Sequence, residues 1–268
     1  MFDNITEKIE HFFAERGGDK TEIYRKILEF IDLTSLNDDD TEESIRNLCT
    51  LAKSIRTSIN ENGIASVCVY PKFAKQVRKE LENTGISVAC VAGNFPSGEG
   101  DLQTKLDEIR YALNEGAQEI DYVVCKQYIP SKEYDKLFEE VRMAKQICGD
   151  TPLKVILETG ELKTLEEIYE GSKTAIEAGA DFIKTSTGKT PTGATLESAY
   201  TMLKAIEESA KTTEKIVGFK ASGGVSEPKQ AIQYYMLVSG ILPQNQLNKH
   251  TFRIGASRLV NKLVEQFS

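Results

Sequence analysis

This 268-residue sequence has little histidine, no paired-cysteine motif and no long apolar run, and each shortage excludes a class of protein. A three-histidine metal site is impossible because the chain holds only His11 and His250. Both lie in polar or amphipathic surroundings, so we expect them at the surface. No run approaches the ~18 apolar residues of a membrane-spanning helix. Residues 1–20 are polar and lack the apolar core of a signal peptide.

The cysteines and the net charge narrow the class of protein further. There are five cysteines, widely spaced and without a C-x-x-C motif. An odd, unclustered set is typical of reduced thiols, so we predict a cytoplasmic protein. A formal net charge of −8 argues against a nucleic-acid-binding protein. A few local lysines could still hold a small phosphorylated substrate.

Eight short apolar segments alternate with amphipathic ones, and we predict that the apolar segments are strands. Their apolar residues run almost uninterrupted, as expected of parallel strands covered on both faces. The predicted strands lie at 30–33, 65–70, 86–91, 119–124, 153–158, 182–184, 216–219 and 252–254. Helical spacing of apolar residues predicts helices at 42–59, 102–113, 134–147, 165–176, 196–205, 231–237 and 259–267.

Strand–helix alternation with short connections predicts one α/β domain spanning 1–268, a closed (β/α)8 TIM barrel. A doubly wound open sheet is the alternative, but no G-x-G-x-x-G motif follows the first strand. We expect an extra helix at 5–16 or 22–29, and residues 1–20 are a candidate N-terminal extension. Asp40 with Glu43 and Thr164 with Glu167 are predicted capping boxes, and Gly179 a helix stop.

Ionisable residues stand at the ends of three predicted strands. A Gly-Ala pair followed by a short strand occurs twice, and the two copies end at Asp121 and Lys184. Lys220 ends the seventh predicted strand. Because catalytic groups of barrels lie at the carboxyl ends of strands, we expect these three side chains to converge.

A lysine in this position has two interpretations. It could be structural, paired with a carboxylate such as Asp121. Alternatively, burial and a second cation nearby favour the neutral amine, which attacks carbonyls to form an imine. Lys184, Lys220 and Asp121 together favour the second interpretation, so we predict a Schiff base between Lys184 and an aldehyde.

Glycine-rich loops follow the last three predicted strands, at 185–189, 221–225 and 255–257. Glycines let backbone amides approach an anion, and barrels often bind phosphate after strands 7 and 8. These glycines could also be ordinary turn residues, but together they favour a phosphate site. The polar run 32–37 could line the same mouth or cap the next helix. Residues 94–98 are interpreted as a plain turn.

In these motifs the chain resembles the deoxyribose-phosphate aldolase family. The motifs follow one another in family order from about Asp32 to Ser257. They are DLT at 32–34, VCVYP at 67–71, EID at 119–121, KVILETG at 154–160, ADFIKTSTG at 180–188, GFKASGGV at 218–225 and RIGAS at 253–257.

The resemblance implies a class I aldolase that uses no metal and no other cofactor. Lys184 would form the Schiff base, Lys220 would tune its protonation, and Asp121 would take part in proton transfer. The family reversibly cleaves 2-deoxy-D-ribose 5-phosphate to acetaldehyde and D-glyceraldehyde 3-phosphate in deoxyribonucleotide catabolism, often as homodimers. Substrate contacts would fall on Thr187, Gly188, Lys189, Gly223, Gly224, Gly255 and Ser257.

The sequence also departs from the family pattern. Ser226 stands where a basic residue is common, and Arg258 where a second serine is common. Arg258 could replace the lost charge or face solvent. The chain lacks the terminal tyrosine of some members, and residues 125–128 are unusual. A transaldolase-like enzyme with other aldehyde preferences, or a scaffold protein without activity, are the competing functions.

Overall fold

The eight predicted strands are all present in the computed structural model of the chain, which describes residues 7, 20–213 and 215–267. All neighbouring strands are parallel, and they pair in chain order, β1 to β8, into a closed barrel. This confirms the TIM barrel. The strands are β1 Ile31–Thr34, β2 Ser66–Val69, β3 Ser87–Ala92, β4 Glu119–Val123, β5 Leu153–Ile156, β6 Phe182–Lys184, β7 Gly218–Ser222 and β8 Phe252–Ala256.

Helices surround the barrel and bury their apolar faces against it. The described helices are α1 Lys20–Leu28, α2 Glu42–Ser58, α3 Ala74–Glu80, α4 Leu102–Asn114, α5 Tyr134–Cys148, α6 Leu165–Glu177, α7 Leu196–Ser209, α8 Pro228–Ile241 and α9 Arg258–Val264. Helix α1 matches the predicted extra helix at 22–29. The alternative at 5–16 lies almost wholly outside the described residues. None of the described helices combines the length and apolar character needed to span a membrane.

The helix boundaries confirm one predicted capping box and correct the other. Thr164 and Glu167 form the reciprocal bonds at the start of α6. The box predicted for Asp40 with Glu43 is wrong, because Thr41 with Ser44 caps α2. The Asp40 carboxylate instead accepts hydrogen bonds from the Ser35 hydroxyl and the Asn37 amide. It therefore ties down the loop between β1 and α2.

Strands β7 and β8 extend two or more residues further toward the barrel mouth than their apolar residues predicted. Strand β7 continues to Ser222 and β8 to Ala256, so Lys220 lies within a strand rather than at its end. Strand pairing places Lys220 beside both Lys184 and Arg253. Charged residues fit inside these strands because opposite charges meet them in the barrel interior.

Leu203→Ala tests the packing of the helices on the barrel. Leu203 is on α7 and fully buried, so we expect the truncation to lower the free energy of unfolding by about 2–5 kcal/mol. Ile216, 41% exposed, is the matched control, and Ile216→Ala should cost about 0.5 kcal/mol or less. Urea unfolding measures both. Equal losses for the two variants would contradict this assignment of the core.

Candidate active site

Six strands deliver charged side chains to the interior of the barrel near its carboxyl end. Parallel pairing sets Asp121 beside Lys154 and Lys220 beside Arg253. The seven residues that bear these charges are each at most 5% exposed. They comprise four cations and three carboxylates, namely Lys154, Lys184, Lys220, Arg253, Asp32, Glu119 and Asp121. One positive charge is left over when all are ionised.

Asp121 is the centre of this cluster. Its Oδ2 accepts hydrogen bonds from Lys184 Nζ at 2.7 Å and Lys220 Nζ at 2.6 Å. Its Oδ1 accepts one from Lys154 Nζ at 2.9 Å. The structure therefore brings together Asp121, Lys184 and Lys220, the three residues proposed from the sequence, and adds a third lysine.

A lower layer of charges supports these groups from beneath. Asp32 accepts hydrogen bonds from Lys220 and Arg253. The Arg253 guanidinium also binds Glu119 through two bonds, of 2.8 and 3.0 Å, and Glu119 pairs with Lys154. Such charges are tolerated in the interior because each is paired and hydrogen-bonded.

Sequence reasoning gave no role to Lys154, Arg253, Glu119 or Asp32 individually. Glu119 lies two residues before Asp121, which places both on the same face of β4. Lys154 and Arg253 interrupt strands that are otherwise apolar. A charged residue inside a predicted buried strand was therefore the sequence feature that could have identified these members of the cluster.

The surroundings shift the pKa values of Lys184 and Lys220 in opposite directions. Burial and the nearby Lys220 ammonium lower the pKa of Lys184, although Asp121 partly opposes this. Burial also opposes the charge on Lys220, but the carboxylates Asp121 and Asp32 outweigh it and raise its pKa. Lys184 is thus the amine that more readily becomes neutral, and Lys220 the one that keeps its proton.

Asp121 itself remains ionised. Burial disfavours its charge, but Lys154, Lys184 and Lys220 together hold its pKa well below the usual range. At neutral pH its Oδ2 can therefore accept a proton only transiently, between two amines. This suits a group that relays protons rather than one that stores them.

An apolar patch borders the cluster on the side of β2 and β3. Cys68 Sγ lies 4.0 Å from Asp121 Oδ2, and burial followed by that carboxylate raises the thiol pKa to about 11. Cys68 packs in a small cluster with Leu36, Ala89 and Val91. All four residues are buried, so this border of the charged cluster is apolar.

Lys184 also lines a cavity of about 470 Å³ at the barrel mouth. All seven residues assigned substrate contacts line it as well, namely Thr187, Gly188, Lys189, Gly223, Gly224, Gly255 and Ser257. Ser226 and Arg258 lie in the same wall. The described lining residues include three cations, Lys184, Lys189 and Arg258, and no carboxylate. On a chain with net charge −8, these cations give the cavity a local positive charge, which favours an anion.

The polar run at 32–37 lines this cavity too, since residues 33–37 form part of its wall. Two consecutive glycines, Gly223 and Gly224, have φ near +80° and form the turn opposite. Of the two histidines, only His250 is described, and it does not line the cavity. His250 is exposed, and His11 lies outside the described residues. Among the described residues, no group of three or more His, Cys, Asp or Glu side chains is placed to hold a metal ion.

Comparison with known proteins adds an independent finding. Residues 26–236 match the family described as DeoC/LacD family aldolase. The chain is 41% identical to a deoxyribose-phosphate aldolase of Homo sapiens over 252 residues, covering 90% of this chain and 79% of that protein. The enzyme of the same name from Mus musculus is also 41% identical, with the same coverage.

Solved structures agree on the fold. A deoxyribose-phosphate aldolase from Aeropyrum pernix, described as tetrameric, superposes with a TM-score of 0.70 at 25% identity and covers 97% of both chains. An aldolase named QR15 superposes with a TM-score of 0.74 at 30% identity, covering 90% of this chain and 96% of that one.

The two lysines give a prediction for the pH dependence of amine reactivity. Only the neutral amine reacts with an aldehyde, so a lowered pKa should place half-maximal trapping of Lys184 below the pH of about 10.4 typical of a free lysine. Lys220→Met removes a like charge and should move this midpoint to higher pH, whereas Lys220→Arg should keep it. Cyanoborohydride trapping with peptide mass spectrometry measures the midpoint. The exposed Lys163→Met is the control, and an unchanged midpoint in Lys220→Met would contradict the prediction.

Proposed function

Since the chain belongs to the DeoC/LacD family of aldolases, we propose that it is a deoxyribose-phosphate aldolase. It cleaves 2-deoxy-D-ribose 5-phosphate reversibly to acetaldehyde and D-glyceraldehyde 3-phosphate. The observation that carries this proposal is the placement of Lys184, which shares one carboxylate oxygen with Lys220 and lines a cavity whose described charged lining residues are all cations. A class I mechanism requires such a neutral amine beside a proton source.

The chemistry begins with the neutral Nζ of Lys184 attacking C1 of the open-chain sugar. Loss of water from the resulting carbinolamine gives a protonated imine, which draws electrons from the C2–C3 bond. Removal of the proton on the C3 hydroxyl then breaks that bond and releases D-glyceraldehyde 3-phosphate. The enamine left on Lys184 takes a proton at C2, and hydrolysis of the imine frees acetaldehyde and the amine.

Lys220 and Asp121 would move the protons of these steps. Lys220 keeps its proton and lies 2.6 Å from the same Asp121 oxygen that binds Lys184 at 2.7 Å. A proton can therefore pass between the two amines through Asp121 Oδ2 when water is lost or regained. We assign the protonation of C2 to this set of groups or to a water bound to it.

The phosphate would bind at the far wall of the cavity. There the loops after β6, β7 and β8 meet, with Lys189, the glycines Gly223 and Gly224, and Ser257. Arg258 supplies a further cation in this wall, and among the described residues no carboxylate lies within ion-pair distance of it. We assign Arg258 to the phosphate. It would replace the basic residue that is common in the family at the position of Ser226.

The proposed cellular location rests on the state of the cysteines. All five cysteines are free thiols, which supports a reducing compartment such as the cytoplasm. Within it, the enzyme would act in deoxyribonucleotide catabolism on a phosphorylated sugar. A homodimer and a single barrel domain preceded by an extension at 1–20 remain our proposals for its organisation.

The leading test is covalent trapping. Borohydride with acetaldehyde should reduce an adduct onto Lys184, and Lys184→Ala should lower turnover of the sugar phosphate by at least ~10³-fold. A coupled assay of glyceraldehyde 3-phosphate release, run with and without a chelator, measures turnover and should show no chelator effect. Wild-type turnover in Lys184→Ala would end the proposal. Faster cleavage of another aldol in a panel of donor and acceptor aldehydes would favour the transaldolase-like alternative.

Arg258→Ser tests the phosphate assignment. Loss of the guanidinium should raise KM for 2-deoxy-D-ribose 5-phosphate about tenfold, because a charge-assisted hydrogen bond to the phosphate is lost. Cleavage of unphosphorylated 2-deoxy-D-ribose should stay within about twofold of wild type. Steady-state kinetics on both sugars measure the split. No change with either sugar would show that Arg258 faces solvent without a role, and an equal change with both would show that its role does not depend on the phosphate.

A further inference from the structure

Glu158 occupies an unusual position just outside the site. Strand β5 ends at Ile156, and Glu158 then adopts a left-handed backbone with φ 52° and ψ 56°. Residues other than glycine are strained in this region. The side chain is also only 1% exposed, and burial of a carboxylate is unfavourable unless partners compensate. Neither the left-handed backbone nor the buried carboxylate improves apolar packing. The hydrogen bonds of the carboxylate must therefore offset both costs.

The carboxylate binds the loop between β6 and α7. Glu158 Oε2 accepts a hydrogen bond of 2.6 Å from the Thr187 hydroxyl, and both oxygens lie 3.3 Å from the Thr187 amide. The Thr190 hydroxyl lies 3.1 Å from Oε1. The Thr187 hydroxyl in turn accepts from the amide of Lys189 at 3.1 Å. One carboxylate thus holds both ends of the segment Thr187–Thr190, which carries Gly188 and Lys189.

The backbones of the neighbouring loops approach one another closely at two glycines. A Cβ atom on Gly160 would lie 2.1 Å from the carbonyl oxygen of Thr192. A Cβ atom on Gly193 would lie 2.2 Å from the carbonyl oxygen of Gly223. The loop that carries Glu158 therefore rests on the loop after β6, which rests on the glycine turn after β7. A shift at Glu158 would reach both walls of the anion cavity.

A counter-charge for Glu158 comes from the next loop along the barrel. Lys126 Nζ lies 3.5 Å from Glu158 Oε2 and 3.5 Å from Glu161 Oε1. Lys126 belongs to the segment 125–128 after β4, which sequence reasoning singled out as unusual. Glu158 itself does not line the cavity. Its influence on a ligand therefore has to pass through the loops that it contacts, and its direct hydrogen bonds go to Thr187 and Thr190.

We propose that Glu158 is a positioning residue for phosphate binding, and this rests on the proposed function. Its carboxylate, balanced by Lys126, sets the conformation of Thr187–Thr190 in which Gly188 and Lys189 face the phosphate. The amine chemistry at Lys184 does not depend on it. The phosphorylated and unphosphorylated substrates should consequently respond differently to changes at Glu158.

The experiment compares Glu158→Ala, Glu158→Gln and Thr190→Val with Glu161→Gln. Glu161 is the matched control, because it is an exposed carboxylate three residues away that contacts the same Lys126. For 2-deoxy-D-ribose 5-phosphate, we expect KM to rise about tenfold in Glu158→Ala and about threefold in Glu158→Gln and Thr190→Val, with kcat within about twofold. The Gln variant is less affected because its amide oxygen still accepts the Thr187 hydrogen bond.

Three further readouts separate positioning from a general structural role. Inorganic phosphate should inhibit Glu158→Ala about tenfold more weakly than wild type. Cleavage of unphosphorylated 2-deoxy-D-ribose and borohydride trapping of acetaldehyde on Lys184 should match wild type in every variant. Glu161→Gln should match wild type throughout. If Glu158→Ala does not fold, Glu158→Gln and Thr190→Val supply the same comparison.

The outcomes distinguish the positioning role of Glu158 from the proposed aldolase activity. Equal losses with both sugars, or Glu158 variants that behave like Glu161→Gln, would overturn the positioning role while leaving the aldolase proposal intact. A wild-type protein that cleaves neither sugar and forms no adduct at Lys184 would overturn both. A selective loss of phosphate recognition in the Glu158 variants supports the inference.

Discussion

A single buried carboxylate, Asp121, organises the interior of this barrel. Three lysines donate to its two oxygens, and they would repel one another strongly in a poorly solvated space without it. The remaining partners, Asp32, Glu119 and Arg253, complete the pairing below. Because one positive charge is left over, the cluster favours release of a proton from the lysine that is paired least. That lysine is Lys184, because among the described residues Asp121 is its one carboxylate partner, whereas Lys220 pairs with both Asp121 and Asp32.

The barrel architecture places the charged cluster next to the loops at the barrel mouth. Parallel strands end at the same rim, so a reactive amine on β6 lies beside the loops that follow β6, β7 and β8. The amine lies at the floor of the cavity and the glycine-rich loops form its wall. A substrate that is held by its anionic end at the wall presents its other end to the floor. Binding energy from the phosphate can then orient the reacting carbonyl.

Sequence reasoning succeeded where a local pattern reports directly on structure. The apolar segments, the Thr164 capping box and the helix stop at Gly179 depend on neighbours within a few residues, and all three are present. It failed at Asp40, where two adjacent residues, Asp40 and Thr41, could both cap the helix. It also ended β7 and β8 too early, because charged residues inside a strand look like its end until their partners are known.

The order of the strands and of most helices, the glycine-rich loops and the ionisable residues at strand ends were determined by the sequence alone, because periodicity and turn chemistry act over short distances. The short helix α3 between β2 and β3 was not predicted. The tertiary structure alone decided which charges meet. Asp121 and Lys154 are 33 residues apart in the chain, and Asp32 and Arg253 are 221 apart. Closure of the barrel brings them within hydrogen-bonding distance. The same closure places Glu158 under the loop of Thr187, a contact between strand ends that no local pattern encodes.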